Sequence, residues 1–308
     1  MKSVNHVPKT ILVTGGKGLV GSAVTGDIKL SSDDGDLRIP STVNHLFKFH
    51  KPTHIIHCAG RVGGVLGNIN RKGEFFYDNI MINTNVIECA RRYGVKRLVS
   101  FLSTCIFPDD MRYPLTEDSI HNGPPHSSNN AYAYAKRMSE VQIRAYKEQY
   151  DLDYLCVIPT NVFGPCDNFN LSTGHVLPSL IHKCYIAKKC NTDFNIWGTG
   201  QPLREFIYSK DLGKITDWLL QNYTQCDSVI ISPSQEISIK DVVDIIVRQM
   251  SFTGKVSWDN TKPDGQYRKP SNNTKLKQLL PGFKFTPIQE AIGETIEWFN
   301  TNYPKIRK

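Results

Sequence analysis

Ser103, Tyr132 and Lys136 are three residues whose side chains can act together on one oxygen atom of a substrate. Tyr132 and Lys136 are four positions apart, so on a helix they lie on the same face. We expect the ammonium group there to lower the pKa of the phenol, which then exchanges a proton with a substrate oxygen. The hydroxyl of Ser103 can hold that same oxygen. Because this spacing also occurs on ordinary helix surfaces, its meaning depends on what accompanies it.

A glycine-rich segment upstream supplies the context. Residues 14–21 read TGGKGLVG and follow a short apolar run, as the turn after a buried strand would. Gly15 suits the tight turn, Gly18 lets the backbone approach a pyrophosphate, and Gly21 allows the helix to pack closely on the strand. A purely structural glycine turn is the alternative. With the Tyr-x-x-x-Lys pair, the segment predicts nicotinamide-dependent chemistry on a carbonyl or an alcohol. The expected cofactor contacts in this segment are Gly15, Gly16, Lys17, Gly18, Leu19, Val20 and Gly21.

Apolar runs alternate with helix-like stretches along the first half of the chain. The expected strands cover residues 10–13, 28–30, 54–59, 97–103 and 154–159, and the expected helices cover 75–93 and 132–150. This alternation predicts an α/β fold with a doubly wound, Rossmann-type parallel sheet and a smaller α/β substrate-binding lobe. Further helices are expected at 175–189, 237–250 and 287–302. The predicted dinucleotide-binding domain is 1–165 with a returning segment near 204–232, and the predicted lobe is 166–203 and 233–308.

The first crossover between two strands is unusually short. About a dozen residues separate Gly15 from Ile28, which is near the minimum for a crossover that contains a helix. We therefore expect the first helix to be stunted, with about two turns.

The residues after the second expected strand bear on the choice of cofactor. In such folds the end of this strand meets the adenosine ribose, where an acid suits a free 2′-hydroxyl and a base suits a 2′-phosphate. Asp33 and Asp34 therefore favour NAD, whereas Lys17 and Arg38 suit NADP. The residues by themselves leave both cofactors open.

The overall composition excludes several classes of protein. The 308 residues carry a net charge of +8, but the basic residues are dispersed and match no nucleic-acid-binding motif, which favours a small anionic ligand. No apolar stretch reaches the roughly 18 residues of a membrane span, and no signal-peptide pattern is present. We therefore predict a cytoplasmic protein that binds neither nucleic acid nor membrane. The eight scattered cysteines form no Cys-x-x-Cys pair, which predicts reduced thiols and no metal site.

Several further motifs resemble the extended short-chain dehydrogenase/reductase superfamily. Within it, nearly the whole chain is similar to the family of bifunctional enzymes that epimerise and reduce GDP-4-keto-6-deoxy-D-mannose to GDP-L-fucose. The motifs are VGG at 62–64, STCIFP at 103–108, HNGPPH at 121–126, PTNVFGP at 159–165, DNF at 167–169, GHV at 174–176, WGTG at 197–200, REF at 204–206 and KPDG at 262–265.

The resemblance implies a role for each candidate residue. Ser103, Tyr132 and Lys136 would form the reductase triad, and Cys105 with His175 would form the epimerase acid/base pair. Further cofactor contacts are expected at Asp36, Lys136, Pro159, Thr160, Asn161, Val162 and His175. Expected substrate contacts are Lys183, Trp197, Arg204 and Lys269. The family also implies NADP(H) rather than NAD(H), a GDP-sugar substrate, and a homodimer formed through a four-helix bundle of the helices at 75–93 and 132–150.

Two features depart from the family pattern. Asp33 stands where the family often carries arginine or lysine, which bears on the preference for NADP(H). The segment 22–27 is shorter than usual, which bears on cofactor affinity and stability.

Ordinary structural explanations exist for some of these residues. A cysteine at a strand end, such as Cys105, is most often a small buried apolar residue, and a lone histidine such as His175 is no more specific. Lys183 and Arg204 can be solvated charges, although a guanidinium group matches a diphosphate better than an ammonium group does.

Two other functions remain open on this evidence. Another nucleotide-sugar epimerase or reductase on the same scaffold would not need Cys105 and His175 together. A non-catalytic NAD(P)-sensing protein would not need the triad, which is complete here.

Overall fold

The computed structural model describes residues 9–262 and 264–307, apart from the side chains of residues 65 and 66. In chain order its strands and helices are β1 (Ile11–Thr14), α1 (Leu19–Ala23), β2 (Ile28–Leu30), α2 (Pro40–His50), β3 (His54–His57), α3 (Val65–Asn70), α4 (Lys72–Arg92), β4 (Arg97–Phe101), α5 (Asn130–Tyr150), β5 (Asp153–Pro159), β6 (Asn161–Phe163), α6 (Val176–Cys190), β7 (Phe194–Trp197), β8 (Leu203–Tyr208), α7 (Ser209–Asn222), β9 (Val229–Ile231), β10 (Glu236–Ser238), α8 (Ile239–Gln249), β11 (Val256–Asp259), α9 (Thr274–Leu279) and α10 (Ile288–Asn302).

Six parallel strands form the central sheet in the order β2-β1-β3-β4-β5-β9. Strand β1 has β2 on one side and β3 on the other, so the strand order reverses there. The carboxyl end of β1 is therefore the topological switch point, where open α/β sheets bind their ligands. The predicted doubly wound parallel sheet is confirmed.

Both faces of this sheet are buried, as parallel sheets require. Neighbouring residues along one strand alternate between two hydrophobic clusters: Ile55 packs with α2, α4 and α5, whereas Ile56 packs with α7 on the opposite face. The strands read as continuous apolar runs because both of their faces lie in a core.

The remaining strands form two small sheets beside the main one. Their orders are β10-β8-β6 and β11-β7. A third hydrophobic cluster joins them to α6, α8 and α10 through residues such as Phe169, Phe194 and Phe299. The predicted smaller α/β lobe is present, and it begins at the carboxyl edge of the main sheet.

The predicted first helix is indeed short, because α1 has only five residues. Four helices were not predicted: α2, α3, α7 and α9. In α7 the central Gly213 weakens the helical pattern, and a Cβ there would lie 2.1 Å from the carbonyl oxygen of Ala23. The glycine thus lets α7 pack directly against the end of the short first helix.

Candidate active site

Helix α5 carries Tyr132 and Lys136 to the carboxyl edge of the sheet. Lys136 is 3% exposed, and its Nζ donates a hydrogen bond to the carbonyl oxygen of Phe101 at 3.0 Å. Phe101 is the last residue of β4, and Ser103 follows two positions later. The structure therefore brings the helix face with the Tyr-Lys pair to the strand end that carries the serine.

Burial dominates the protonation of this pair. It raises the pKa of Tyr132, with a smaller contribution from the nearby Cys105, and it lowers the pKa of Lys136 to about 8. The pKa of the phenol is therefore raised and not lowered as expected from Lys136, because desolvation of the buried phenol is the main influence on it. Tyr132 is consequently a protonated phenol at neutral pH, able to donate a proton.

Cys105 lies in a short 3-10 turn that Ser103 caps. The turn covers Thr104–Ile106, and the backbone N–H of Cys105 donates to Ser103 Oγ at 3.4 Å. Burial raises the pKa of the Cys105 thiol, while Ser103, Lys269 and Lys136 act in the opposite direction. Because the cap and the thiol belong to the same turn, the serine and the cysteine are held together.

Arg137 fixes this turn to helix α5. Its Nε donates to the carbonyl oxygen of Ile106 at 3.0 Å, its Nη2 donates to the same oxygen, and its Nη1 donates to the carbonyl of Gly123 at 2.9 Å. The side chain is 4% exposed and forms no ion pair among the described residues. Sequence analysis missed this residue, and its position beside Lys136 was the only available signal.

His175 immediately precedes helix α6, whereas the sequence placed it on the helix. It ends a loop that contacts the dinucleotide-binding half of the chain, where the N–H of Gly64 donates to the carbonyl oxygen of Thr173 at 2.9 Å. Packing around the imidazole lowers its pKa, and the positive charge of Arg307 acts in the same direction. The imidazole is therefore neutral at physiological pH and can accept a proton.

The loop of His175 is anchored at Phe169. The backbone N–H of Phe169 donates to the carbonyl oxygen of Arg307 at 2.9 Å, and its own carbonyl oxygen accepts a 2.7 Å hydrogen bond from Nδ1 of His182. Beside it, Asp167 is buried, and burial raises its pKa to about 7. Asp167 was not a predicted site residue.

The glycine-rich loop has the shape that the sequence predicted. Gly15 has a φ of +69°, and a Cβ on Gly21 would lie 2.2 Å from the carbonyl oxygen of Gly15. The N–H of Gly16 donates to Leu30 at 2.7 Å, which ties the loop to the end of β2. A side chain at position 21 would collide with the backbone of the turn, so this glycine lets α1 begin close against the end of β1. The turn and the helix start that follows it fit the pyrophosphate of a dinucleotide.

Charged residues next to this loop are paired in two different ways. Lys17 Nζ lies 2.7 Å from Asp33 Oδ2, and these side chains are 72% and 75% exposed. Arg38, in contrast, is held by Asp36 at 2.7 Å and by the buried Asp78 at 2.8 Å. The exposed Lys17 pair is free to separate when a ligand binds, whereas Arg38 is occupied by two carboxylates.

The strand that follows β5 lines the same edge of the sheet. Pro159 ends β5, the N–H of Thr160 donates to Ile231 at 3.2 Å, and Nδ2 of Asn161 donates to the carbonyl oxygen of Glu205 at 2.9 Å. The Oγ1 of Thr160 is buried without a hydrogen-bond partner among the described groups, and Val162 is partly buried. These predicted cofactor contacts therefore lie together at the junction of the two lobes.

Three of the predicted substrate contacts are cations without a counter-ion. Among the described residues, Lys183, Arg204 and Lys269 form no ion pair. Burial lowers the pKa of all three. Lys183 Nζ lies 4.7 Å from the ring centroid of Trp197, the fourth predicted contact. Partly buried, unneutralised cations beside an exposed aromatic ring are suited to an anionic, ring-containing ligand.

Two other classes of site are absent from the described part of the chain. It contains no cluster of three or more side chains that could ligate a metal, and none of its helices is long and apolar enough to cross a membrane. All eight cysteines are free thiols.

Comparisons with known proteins agree with this geometry. Residues 11–231 match the NAD dependent epimerase/dehydratase family. The GDP-L-fucose synthase of Dictyostelium discoideum is 50% identical, covering 97% of this chain and 98% of that protein. The probable GDP-L-fucose synthase of Drosophila melanogaster is 41% identical, covering 97% of this chain and all of that protein. A crystal structure of a GDP-L-fucose synthetase from Naegleria fowleri bound to NADP is 45% identical and superposes with a TM-score of 0.93 over 97% of this chain and 95% of the other.

Proposed function

The chain belongs to the NAD dependent epimerase/dehydratase family and, within it, to the GDP-L-fucose synthases, and from this premise we propose how its residues perform the reaction. It is an epimerase/reductase that converts GDP-4-keto-6-deoxy-D-mannose to GDP-L-fucose. The observation that carries the assignment of roles is the capped turn in which Ser103 and Cys105 are held together. That turn joins the oxygen-binding group of a reductase to the thiol of an epimerase.

The substrate lies with its C4 ketone oxygen at Ser103 and Tyr132. A ketone at C4 acidifies the hydrogens on C3 and C5, and hydrogen bonds to the ketone oxygen stabilise the enolate that forms when either proton leaves. Burial keeps Tyr132 protonated, so its phenol donates one of these hydrogen bonds. Ser103 supplies the other.

Cys105 and His175 exchange protons with C3 and C5. Inversion of a carbon requires a proton to leave from one face and another to arrive on the opposite face. We expect a thiol and a neutral imidazole, because burial raises the pKa of Cys105, whereas packed protein atoms and the charge of Arg307 lower that of His175, whose surface is otherwise exposed. One member therefore holds a proton while the other can take one, as epimerisation needs.

Reduction uses the same oxygen site. The nicotinamide cofactor supplies a hydride when it is bound. Tyr132 would give its proton to the C4 oxygen, and Lys136, fixed to the end of β4 by the carbonyl of Phe101, would hold the cofactor. Thr160 and Asn161 lie at the lobe junction where the nicotinamide end is expected.

The cofactor belongs to the NAD(P) class, and we propose NADP(H) as its physiological form. The NADP-bound relative from Naegleria supports this choice. Of the two candidate cations, we propose Lys17 for the 2′-phosphate, because its ion pair with Asp33 is exposed, whereas Arg38 is paired with both Asp36 and Asp78. Asp33 competes for Lys17, so we expect the preference for NADPH over NADH to be modest.

The organisation of the protein follows the same proposal. Residues 1–165 and the returning segment 204–232 bind the dinucleotide, and 166–203 with 233–308 bind the GDP-sugar.

Apolar side chains on the outer surfaces of α4 and α5 are exposed, and we propose that they form a homodimeric four-helix bundle. These side chains are Phe76, Tyr77, Tyr134 and Met138. We further propose that the enzyme acts in the cytoplasm, where its thiols stay reduced.

A turnover assay tests the proposed function. The purified protein is mixed with GDP-4-keto-6-deoxy-D-mannose and NADPH, nicotinamide oxidation is followed by absorbance, and the sugar is identified by NMR. We expect oxidation that yields GDP-L-fucose. A product with unchanged C3 and C5 would favour another nucleotide-sugar reductase, and an absence of oxidation with both NADPH and NADH would favour a non-catalytic role.

A further inference from the structure

Arg204 and Lys269 are 65 positions apart in the chain, yet they are held side by side without a counter-ion. The segment that carries Lys269 runs along strand β8: the N–H of Leu203 donates to the carbonyl oxygen of Tyr267 at 2.9 Å, and Nη1 of Arg204 donates to the same oxygen at 3.4 Å. Burial lowers the pKa of Lys269, and the charge of Arg204 acts in the same direction, as expected for neighbouring cations. Such a pair costs free energy until an anion arrives, so some other contact has to hold the two segments together.

Glu205 provides that contact. Its side chain is 3% exposed, and one carboxylate oxygen accepts a hydrogen bond from the backbone N–H of Ser271 at 3.2 Å. The other oxygen accepts hydrogen bonds from the hydroxyls of Ser271 and, at 2.9 Å, Ser232. Among the described residues Glu205 has no cationic partner. Burial raises its pKa, and these three hydrogen bonds act against that shift by stabilising the charged form.

The segment after Lys269 has other attachments, but they lead elsewhere. The N–H of Leu115 donates to the carbonyl oxygen of Pro270 at 2.9 Å, and the carbonyl oxygen of Leu115 accepts from the N–H of Asn272 at 2.8 Å. These two bonds fix the segment to the dinucleotide-binding half. Only Glu205, among the described side chains, links it by a carboxylate to the strand that carries Arg204. The register of Lys269 against Arg204 is therefore fixed by this buried group together with the Leu203–Tyr267 hydrogen bond and the ion pair of Arg268 with Glu236 on the neighbouring strand β10.

We propose that Glu205 is a positioning residue that holds Arg204 and Lys269 together as a preformed site for the diphosphate of the nucleotide sugar. The inference rests on the proposed function, because it specifies how the GDP portion of that substrate is recognised. A guanidinium and an ammonium group placed together before binding avoid the ordering cost that two independent flexible cations would incur. A glutamine in place of Glu205 would be neutral, with one oxygen acceptor and an N–H donor, so it could not accept all three hydrogen bonds.

Isothermal titration with GDP and, separately, with NADP⁺ tests this role in Glu205→Gln. We expect the affinity for GDP to fall by about tenfold or more, since hydrogen bonds to a charged group are lost, while the affinity for NADP⁺ stays within about twofold. In steady-state assays the KM for the GDP-sugar should rise and the KM for NADPH should not. Ser271→Ala, which removes one of the three donors, should give a smaller effect in the same direction.

Glu294→Gln is the matched control. Glu294 accepts a hydrogen bond from Tyr208 at the other end of β8 and pairs with Lys210, without touching the segment of Lys269. This variant should bind GDP as the unmodified protein does. Unchanged GDP affinity in Glu205→Gln, or equal losses for GDP and NADP⁺, would overturn the proposal. An unmodified protein that binds GDP but does not convert the ketosugar would contradict the proposed function alone.

Discussion

Lys136 Nζ donates its hydrogen bond to the main-chain carbonyl of Phe101, at the end of the strand that leads to Ser103. A side chain on α5 is thereby tied to the neighbouring strand end and not to the phenol of Tyr132. The site therefore holds a protonated tyrosine beside a lysine that the backbone fixes in position and whose pKa burial lowers to about 8. Such preorganisation is what transition-state stabilisation by hydrogen bonds requires.

Cys105→Ser should separate the two half-reactions. The hydroxyl preserves the capped turn, but it is a poorer proton donor and acceptor than a thiol, so we expect epimerisation to fall by roughly 10²–10⁴-fold. Reduction of the unepimerised ketone should continue slowly. NMR of the product shows the configuration at C3 and C5. Product with the same stereochemistry as that of the unmodified enzyme would remove Cys105 from the mechanism.

Arg137→Met should weaken both the site and the fold. It leaves the buried carbonyl oxygens of Ile106 and Gly123 without their donor, which we expect to cost about 2 kcal/mol in the free energy of unfolding. Urea denaturation measures this loss. Arg137→Lys should recover part of the stability because it restores a donor, and equal losses in the two variants would show that the hydrogen bonds are not the cause.

Asp167→Asn should change how stability depends on pH. Burial raises the pKa of Asp167 from 3.8 to about 7, so between these values the folded state binds more protons than the unfolded state. The contribution of the protonated carboxyl is therefore present below pH 4 and is lost as the pH rises through 7. We expect the variant to equal the unmodified protein near pH 4 and to exceed its stability at pH 8. Urea unfolding measures both free energies. The same difference between the variant and the unmodified protein at pH 4 and at pH 8 would contradict this prediction.

Tyr77→Glu should disrupt the proposed dimer. Tyr77 is 57% exposed on α4, and a charge there would be buried without a partner in a four-helix bundle. Sedimentation should give a dimer for the unmodified protein and a monomer for the variant. Phe49→Glu, at a 72% exposed position on α2, is the control and should remain dimeric. A monomeric unmodified protein would refute the proposed interface.

The sequence predicted the features whose signals are local. The glycine spacing, the Tyr-x-x-x-Lys pair and the period of the long helices each lie within a few residues, and the parallel sheet follows from their alternation. Arg137 contacts Ile106, 31 positions away, and Glu205 contacts Ser271, 66 positions away. No local sequence pattern predicts contacts over such separations. Helix α7 was not predicted because Gly213 weakens its helical pattern. The reason for this glycine, its close approach to the carbonyl oxygen of Ala23, is not visible in the local sequence.

Burial decides two further points that spacing along the chain does not reveal. Whether Lys136 lowers the pKa of Tyr132 depends on how much water reaches the phenol, which spacing along a helix does not reveal. Similarly, Lys17 and Arg38 were equivalent candidates in the sequence. The structure distinguishes them because only Arg38 faces the buried Asp78.

The central claim is that one oxygen site serves both half-reactions while only reduction depends on proton donation by Tyr132. Tyr132→Phe incubated with GDP-4-keto-6-deoxy-D-mannose and NADPH in deuterium oxide tests it in a single NMR experiment. We predict that deuterium still enters C3 and C5, more slowly because one of the two hydrogen bonds to the enolate oxygen is lost, while oxidation of NADPH falls by about 10²-fold or more. Oxidation at the rate of the unmodified enzyme, or loss of exchange at both carbons together with oxidation, would contradict the account.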